Sequence, residues 1–268
     1  MIVEPIETLD IPELKPYRTL RGNTFGRDGS FVADSERVVK MLLGSDLEFV
    51  SLLCTPVFFE RNRSSIELAG VGRVFLGEKA LLQEIVGHKI HHGVMAHLLR
   101  PSNVALERMP ERVLMLVGLS NMENVGAIAR SAAALGVGGY AVPTAGPHPY
   151  GRRAIRVSTG HVTRLDVHTY ENTIETIRYF RRLGYTVIAA EAAQSAIDLD
   201  DIDTIPKKWV LLMGNEEEGI ANDVMKECDM VVRIEMEPGV RSLNVSVAAS
   251  IIMYRFVRLA CADSTRFA

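Results

Sequence analysis

With 268 residues, 47% of them hydrophobic and 24% charged, the sequence is that of a soluble globular protein with a real core, in one large domain or two modest ones. No run approaches the roughly 18 apolar residues of a membrane span. The acidic start, Met1–Lys15, lacks the basic-then-apolar order of a signal peptide, so a cytoplasmic location is expected. Cys54, Cys228 and Cys261 lie far apart in apolar or helical contexts, which argues against a disulfide framework and against a zinc site.

The formal net charge of −3 lacks the basic excess usual in nucleic-acid partners. Basic residues are nevertheless clustered: Arg18, Arg21 and Arg27; Arg152, Arg153 and Arg156; Arg178, Arg181 and Arg182. Each cluster reads equally as a binding patch or a solvated face.

Residues 1–30, broken by Pro5, Pro12, Pro16, Gly22, Gly26 and Gly29, predict an extended arm and turns. Asp34-Ser35 can cap a helix to about Leu43, with Val38, Val39, Leu42 and Leu43 at helical spacing. Strands are expected at Leu47–Cys54, Arg73–Leu76 and Gly93–Leu99, with a helix at Glu78–Val86. The alternation suggests a small α/β domain. His88, His91, His92 and His97 invite a metal reading, but adjacent histidines on a strand or loop point apart, and no metal is expected. Arg100–Arg112 reads as a linker.

The second half is richer. Val113–Val117 predicts a buried parallel strand. Asn124 then offers a cap for a helix to about Leu135, which Gly136 can end. Arg130, four residues after Gly126, stands among Ala and Ile, a pattern shared by snorkelling surface arginines and by catalytic ones. Strands follow at Tyr140–Val142, Arg164–His168, Tyr185–Ala190, Trp209–Met213 and Met230–Ile234, with helices at Glu171–Leu183 and Ala221–Cys228 and an acidic loop at Glu191–Thr204. A Pro238-Gly239 turn precedes Ser242, which can cap a last helix. Ser246, Ala249 and Ser250 give that helix a small-residue face on which another helix can pack closely.

A mostly parallel sheet covered on both faces follows, and in such sheets ligands sit beyond the strands' carboxyl ends. The segments after Val117, Met213 and Ile234 all leave from that edge. No dinucleotide fingerprint or Walker loop is present, since Gly70-Val71-Gly72 lacks the third glycine and Gly136–Gly139 precedes a strand. The three glutamates within Gly214–Gly219 would repel phosphate and suit a cationic or hydroxyl-rich ligand.

Asn124-Val-Gly-Ala-Ile-Ala-Arg130, Gly214-Asn-Glu216-Glu-Glu-Gly219 and Ser242-Leu-Asn244-Val-Ser246-Val-Ala248 resemble, in order and spacing, the three motifs of the SpoU (TrmH-type) RNA methyltransferases of the SPOUT class. The likeness covers about Val113 to Tyr254. Arg156-Val-Ser158-Thr-Gly160 resembles the segment that follows the first motif. Residues 18–99 resemble more loosely the small α/β RNA-binding domain carried in front by many members; Phe31-Val-Ala-Asp-Ser35 departs from the acidic-glycine pair of that domain.

The resemblance implies an RNA-binding α/β domain over 1–105 and a methyltransferase domain over 106–268, the latter with a deep trefoil knot. It also implies S-adenosylmethionine as cofactor, a homodimer paired through the C-terminal domain, and methylation of a ribose 2′-hydroxyl in rRNA or tRNA. By motif position, Met213, Gly214, Asn215, Gly219, Ile234, Met236 and Leu243 would hold the cofactor, with Gly214, Ile234 and Leu243 acting largely through backbone groups. Arg130 would be catalytic, with Asn124, Glu216, Ser242 and Asn244 ordering the pocket. A guanidinium stays protonated, so Arg130 suits clamping a phosphate and polarising the hydroxyl better than taking a proton. A base methyltransferase of the wider class and a non-catalytic RNA-binding member are the competing readings.

Overall fold

The structure, a computed structural model, describes residues 1–8, 11–18, 29–86 and 93–262; Arg21, Arg27, His88, His91 and His92 lie outside them. Two units form, one of Met1–Ser102 with Tyr150–Gly160 and the other of Asn103–Pro149 with His161–Ala268.

The first unit runs β1 (Ile2–Pro5), α1 (Lys15–Arg18), β2 (Ser30–Asp34), α2 (Glu36–Leu43), β3 (Phe49–Cys54), α3 (Pro56–Leu68), β4 (Arg73–Leu76), α4 (Lys79–Val86) and β5 (Val94–Leu99). Its five-stranded sheet has the order β1-β4-β3-β5-β2, with β5 antiparallel to both neighbours. The expected arm is corrected in part, because Ile2–Pro5 is an edge strand parallel to β4. Its proline is tolerated there, where no inner ladder depends on it. The unpredicted α3 starts at Thr55, whose Oγ1 accepts from the Phe58 amide, with Pro56 at the first helical position. Exposed Val57 and Leu68 blur its apolar stripe of Phe58, Phe59 and Ile66, so periodicity alone misses it.

Asp34 and Ser35 do not cap α2 as expected. Asp34 closes β2, and Ser35 takes φ 96° without a side-chain capping bond. That backbone region suits glycine, the residue type Ser35 replaces in the motif it resembles. His97 is a core residue of β5, edge-on to Tyr17, whose hydroxyl shares a 2.8 Å hydrogen bond with Ser51. Burial raises the Tyr17 pKa, opposed by the Ser51 bond.

The second unit begins with β6 (Arg112–Leu116), α5 (Met122–Leu135) and β7 (Gly139–Pro143). The chain then contributes α6 (Arg152–Val157) to the first unit. It resumes with β8 (Asp166–Tyr170), α7 (Thr173–Arg182), β9 (Thr186–Ala190), β10 (Ile197–Asp198), β11 (Trp209–Met213), α8 (Asn222–Met225), β12 (Met230–Arg233) and α9 (Val245–Ala262). The sheet order is β10-β12-β9-β11-β6-β7-β8, every pair parallel. Central β11 is buried along its whole length, and Trp209 meets Phe256 of α9 edge-on at 5.6 Å between ring centres. The acidic loop holds β10, where Asp198 accepts from Arg233 at 2.5 and 3.1 Å.

Two helix starts are corrected. The Asn121 side chain, not that of Asn124, caps α5, accepting from the Glu123 amide at 2.7 Å. Asn244, not Ser242, takes the first free amide of α9, accepting from the Ser246 nitrogen at 2.9 Å. In both cases the first asparagine or serine-type side chain that can reach a free N–H wins. Gly136 ends α5 as expected, left-handed at φ 74°.

The small-residue face of α9 is also spoken for within the chain. Ala249 is fully buried, and Ser250 Oγ donates to the Ser246 carbonyl at 2.7 Å and shares a 2.8 Å hydrogen bond with Ser131 Oγ of α5. Close approach of the two helices depends on the missing bulk. Ala249→Leu should therefore lower stability by about 1–3 kcal/mol through overpacking, read as a fall in the urea unfolding midpoint; an unchanged midpoint would mean the helix interface has room to spare.

Candidate active site

Parallel register brings the motif loops together. Met213 of β11 pairs with Leu116 of β6 on one side and Ala190 of β9 on the other, and Val232 of β12 pairs with Ala190. The segments that follow these strands leave from one carboxyl edge, as expected of a doubly covered sheet.

The segment after β11 is closed on itself. Asn215 and Gly219 exchange backbone hydrogen bonds of 3.2 and 3.0 Å, and Asn215 Oδ1 accepts from the Glu217 and Glu218 amides. Asn215 Nδ2 donates to the Gly118 carbonyl at 2.7 Å, joining this turn to the segment after β6. A side chain at Gly214 would come within 2.6 Å of the Gly219 backbone, and one at Gly219 within 2.4 Å of Glu191 Oε2. Glu191, at the end of β9, also accepts from the Ile220 amide at 2.7 Å. This carboxylate, which the motifs do not include, braces the turn from outside. Only the glycine at 219 hinted at so close a neighbour.

Within the turn, Glu216 Oε1 accepts from Asn124 Nδ2 at 2.7 Å, and Oε2 accepts from the Ser120 amide and hydroxyl at 3.2 and 3.3 Å. Asn124 Oδ1 in turn accepts from Asn244 Nδ2 at 3.1 Å. Asn244 Oδ1 accepts from Ser246 through the amide at 2.9 Å and the hydroxyl at 2.6 Å. A carboxylate has no donor, and a helix N-terminus has no acceptor, so both asparagine amides are oriented from the two ends of the chain of bonds. Burial pushes the Glu216 carboxyl up, but hydrogen bonds from Asn124 and Ser120 outweigh it and hold the group below the usual carboxylate range.

Four of the expected site residues thus share one network, Asn124, Asn215, Glu216 and Asn244, drawn from the first turn of α5, the turn after β11 and the segment before α9. Gly214 and Gly219 shape it, and Met213 is the buried strand end below it. Ile234 and Met236 are half-buried after β12, and Leu243 is 37% exposed. Ser242 is exposed and outside α9. Arg130 is also exposed and has no polar partner among the described residues. Six residues along α5 turn it about 120° from Asn124, so the structure keeps it off the carboxylate network.

In the Arg178 cluster two of the three arginines face acids, and Arg182 lies over the Tyr179 ring at 4.9 Å. Arg178 pairs with Glu227 at 2.6 Å and Arg181 with Asp229 at 2.8 Å. Among the described residues no group of three His, Cys, Asp or Glu could hold a metal ion, and no helix is long and apolar enough to cross a membrane.

A parallel sheet with glycine-shaped loops converging at its carboxyl edge defines a ligand-binding α/β protein, and comparison with known proteins narrows the class. Residues 111–254 match the SpoU rRNA Methylase family, and the chain belongs to it. It is 31% identical over 209 residues to the 23S rRNA (guanosine-2'-O-)-methyltransferase RlmB of Nitrosomonas europaea, with 74% of this chain and 79% of that protein covered. The fold is that of the AdoMet-bound rRNA methyltransferase of Sinorhizobium meliloti, at TM-score 0.80 and 23% identity over 98% of both chains. It is equally similar to the SpoU methyltransferase AviRb of Streptomyces viridochromogenes in complex with AdoMet, at TM-score 0.80 and 23% identity over 94% of this chain and 100% of that one.

Because the Glu216 carboxyl is held below its ordinary range, the stabilisation it lends the three loops is present above the unfolded carboxylate pKa and is lost as pH falls through the folded one. A carboxyl-carbon NMR titration should find its midpoint below the reference value of about 4.3. Asn124→Ala, which removes one donor, should move the midpoint up; a midpoint unmoved by that change would mean the asparagine does not serve the carboxylate.

Proposed function

We propose that this protein transfers the methyl group of S-adenosylmethionine to a ribose 2′-hydroxyl of RNA, with ribosomal RNA as the first substrate to try. The observation that carries the reading is the hydrogen-bonded chain Ser120–Glu216–Asn124–Asn244, which ties together the motif loops of a SpoU family member at one sheet edge. The cofactor would lie on Met213, Gly214, Asn215 and Gly219, against the half-buried Ile234 and Met236 and the exposed Leu243. Glycines at 214 and 219 fit that role, because the turn has no space for side chains and presents its backbone groups. We further propose that the chain threads a trefoil knot there, that residues 1–105 recognise the RNA while 106–268 carry the chemistry, and that the protein works in the cytoplasm.

S-adenosylmethionine supplies a methyl group already activated by its positive sulfur, so the chain's task is placement of a weak nucleophile in line behind it. Transfer would form an oxygen–carbon bond as the carbon–sulfur bond breaks, with the hydroxyl proton passing to water. Arg130, exposed and without a carboxylate partner among the described residues, is suited to clamp the neighbouring phosphate and to polarise the hydroxyl as negative charge grows on its oxygen. Asn124, Glu216, Ser242 and Asn244 keep the loops in place. Because the 2′-hydroxyl is absent from DNA, DNA should not be methylated.

A homodimer is proposed through the outer side of α9, where Val247, Ile251 and Tyr254 are 47%, 40% and 57% exposed. An exposed apolar stripe along α9 suits a second copy of the chain. Ile251→Glu should shift the wild-type dimer to monomer in sedimentation velocity, and a monomeric wild-type protein would remove the proposal.

Titration calorimetry should detect S-adenosylmethionine binding and no NAD or ATP binding. In single-turnover methyl transfer on rRNA, Arg130→Ala should lose roughly a hundredfold or more, the scale of one preorganised donor, with cofactor affinity hardly altered. Arg130→Lys should recover little, since an ammonium lacks the two-pronged geometry. Near-normal turnover in Arg130→Ala would leave a surface arginine, and methylation mapped to a base would replace the ribose reading.

A further inference from the structure

The segment Tyr150–Gly160 belongs to the first unit although its sequence lies in the second half of the chain. It is firmly seated. Ala154 and Ile155 are fully buried, and the Tyr150 and Phe31 rings meet at 5.3 Å between centres. Thr159 takes φ 54°, and a side chain at Gly160 would lie 2.0 Å from Met41 Cε. The guanidiniums carried by α6 are therefore held by a fixed backbone.

Both face one carboxylate. Asp34 Oδ2 accepts from Arg152 Nε at 2.8 Å, Oδ1 accepts from Arg156 Nε at 3.1 Å, and each arginine adds a further bond through Nη2. The Asp34 side chain is 8% exposed, that of Arg152 25% and that of Arg156 54%. Burial pushes the Asp34 carboxyl up, but the hydrogen bonds and charges of the two arginines hold it below its usual range. It stays charged, and it is shared between two guanidiniums. Pinning α6 would need only one arginine. The second brings its planar fork to the surface, with Arg156 Nη1 unpartnered among the described residues. The strained φ of Ser35 directly after Asp34 fits a residue whose position matters more than its comfort.

We propose that Arg152 and Arg156, oriented by Asp34, form a seat for a backbone phosphate of the substrate RNA. This rests on the RNA-methylating reading above. An Arg fork is suited to a phosphate's oxygens, and a pre-set fork loses less freedom on binding than a floppy one. Asp34 is then a positioning residue, acting on RNA only through the arginines.

The test is RNA binding by the full chain across a salt series, using an rRNA transcript, with S-adenosylmethionine calorimetry and thermal melts on each variant. Arg156→Gln, a change at a half-exposed side chain, should weaken RNA binding several-fold and lower the salt slope by about 0.7–1, the share of one phosphate contact. Arg156→Lys should keep the slope yet lose affinity. Asp34→Asn adds net positive charge, so a seat that is only electrostatic would bind RNA more tightly, whereas an oriented one should bind more weakly. Cofactor affinity should stay unchanged throughout. An unaltered salt slope in Arg156→Gln, or tighter binding in a folded Asp34→Asn, would overturn the seat alone. A wild-type protein that binds neither RNA nor S-adenosylmethionine would overturn the enzymatic reading as well.

Discussion

The second unit depends on one carboxylate. Glu216 sits between two donor sets from different parts of the chain, the Ser120 amide and hydroxyl on one oxygen and the Asn124 amide on the other. Without it, the side-chain tie between the turn after β11 and the segment after β6 would be reduced, among the described residues, to the Asn215–Gly118 bond. The negative charge also imposes order beyond its own contacts. Because Asn124 must give its NH2 to the carboxylate, its oxygen is left for Asn244, and Asn244 is left facing the helix start with its own oxygen. A neutral glutamine could turn its amide either way and would fix neither neighbour. Charge is what makes the network directional.

Around that network, backbone and side chain divide the work. Gly214 and Gly219 are small because the turn is packed on both sides, by Ile220 within it and Glu191 outside it. A surface built from backbone groups is rigid and presents fixed donors and acceptors. Side chains of the second motif are then free to face the other loops. One segment can thus serve as wall and as link.

Much of this organisation is legible in the sequence. Strands Arg73–Leu76 and Trp209–Met213 stand where their apolar runs place them, and the glycine-and-polar loops after the buried strands do converge. What fails is local competition among similar groups. Asn121, Asn124, Ser242 and Asn244 are all good caps by type, and only the distance to a free amide selects Asn121 and Asn244. The small face of α9 was legible as a packing surface, but a stripe of alanine and serine does not say which helix fills it, and α5 of the same chain does. The helix after Thr55 escaped because exposed Val57 and Leu68 interrupt its stripe. The Asp34–Arg152–Arg156 cluster spans more than a hundred residues of sequence, a separation at which no periodicity carries information.

The two charge clusters can be compared on equal terms. Arg178 and Arg181 each face their own acid, and those pairs, being exposed on the arginine side, contribute little to stability. At Asp34 the numbers differ: two arginines share one acid, and the acid is the buried member. Burying a carboxylate has a desolvation cost that only close partners offset, and the first arginine could have supplied most of that compensation. The second therefore adds less to the fold than it adds to the surface potential. A chain of net charge −3 that must meet a polyanion has reason to keep its positive charge in a few fixed places, and the half-exposed Arg156, oriented by a buried carboxylate, is one of them.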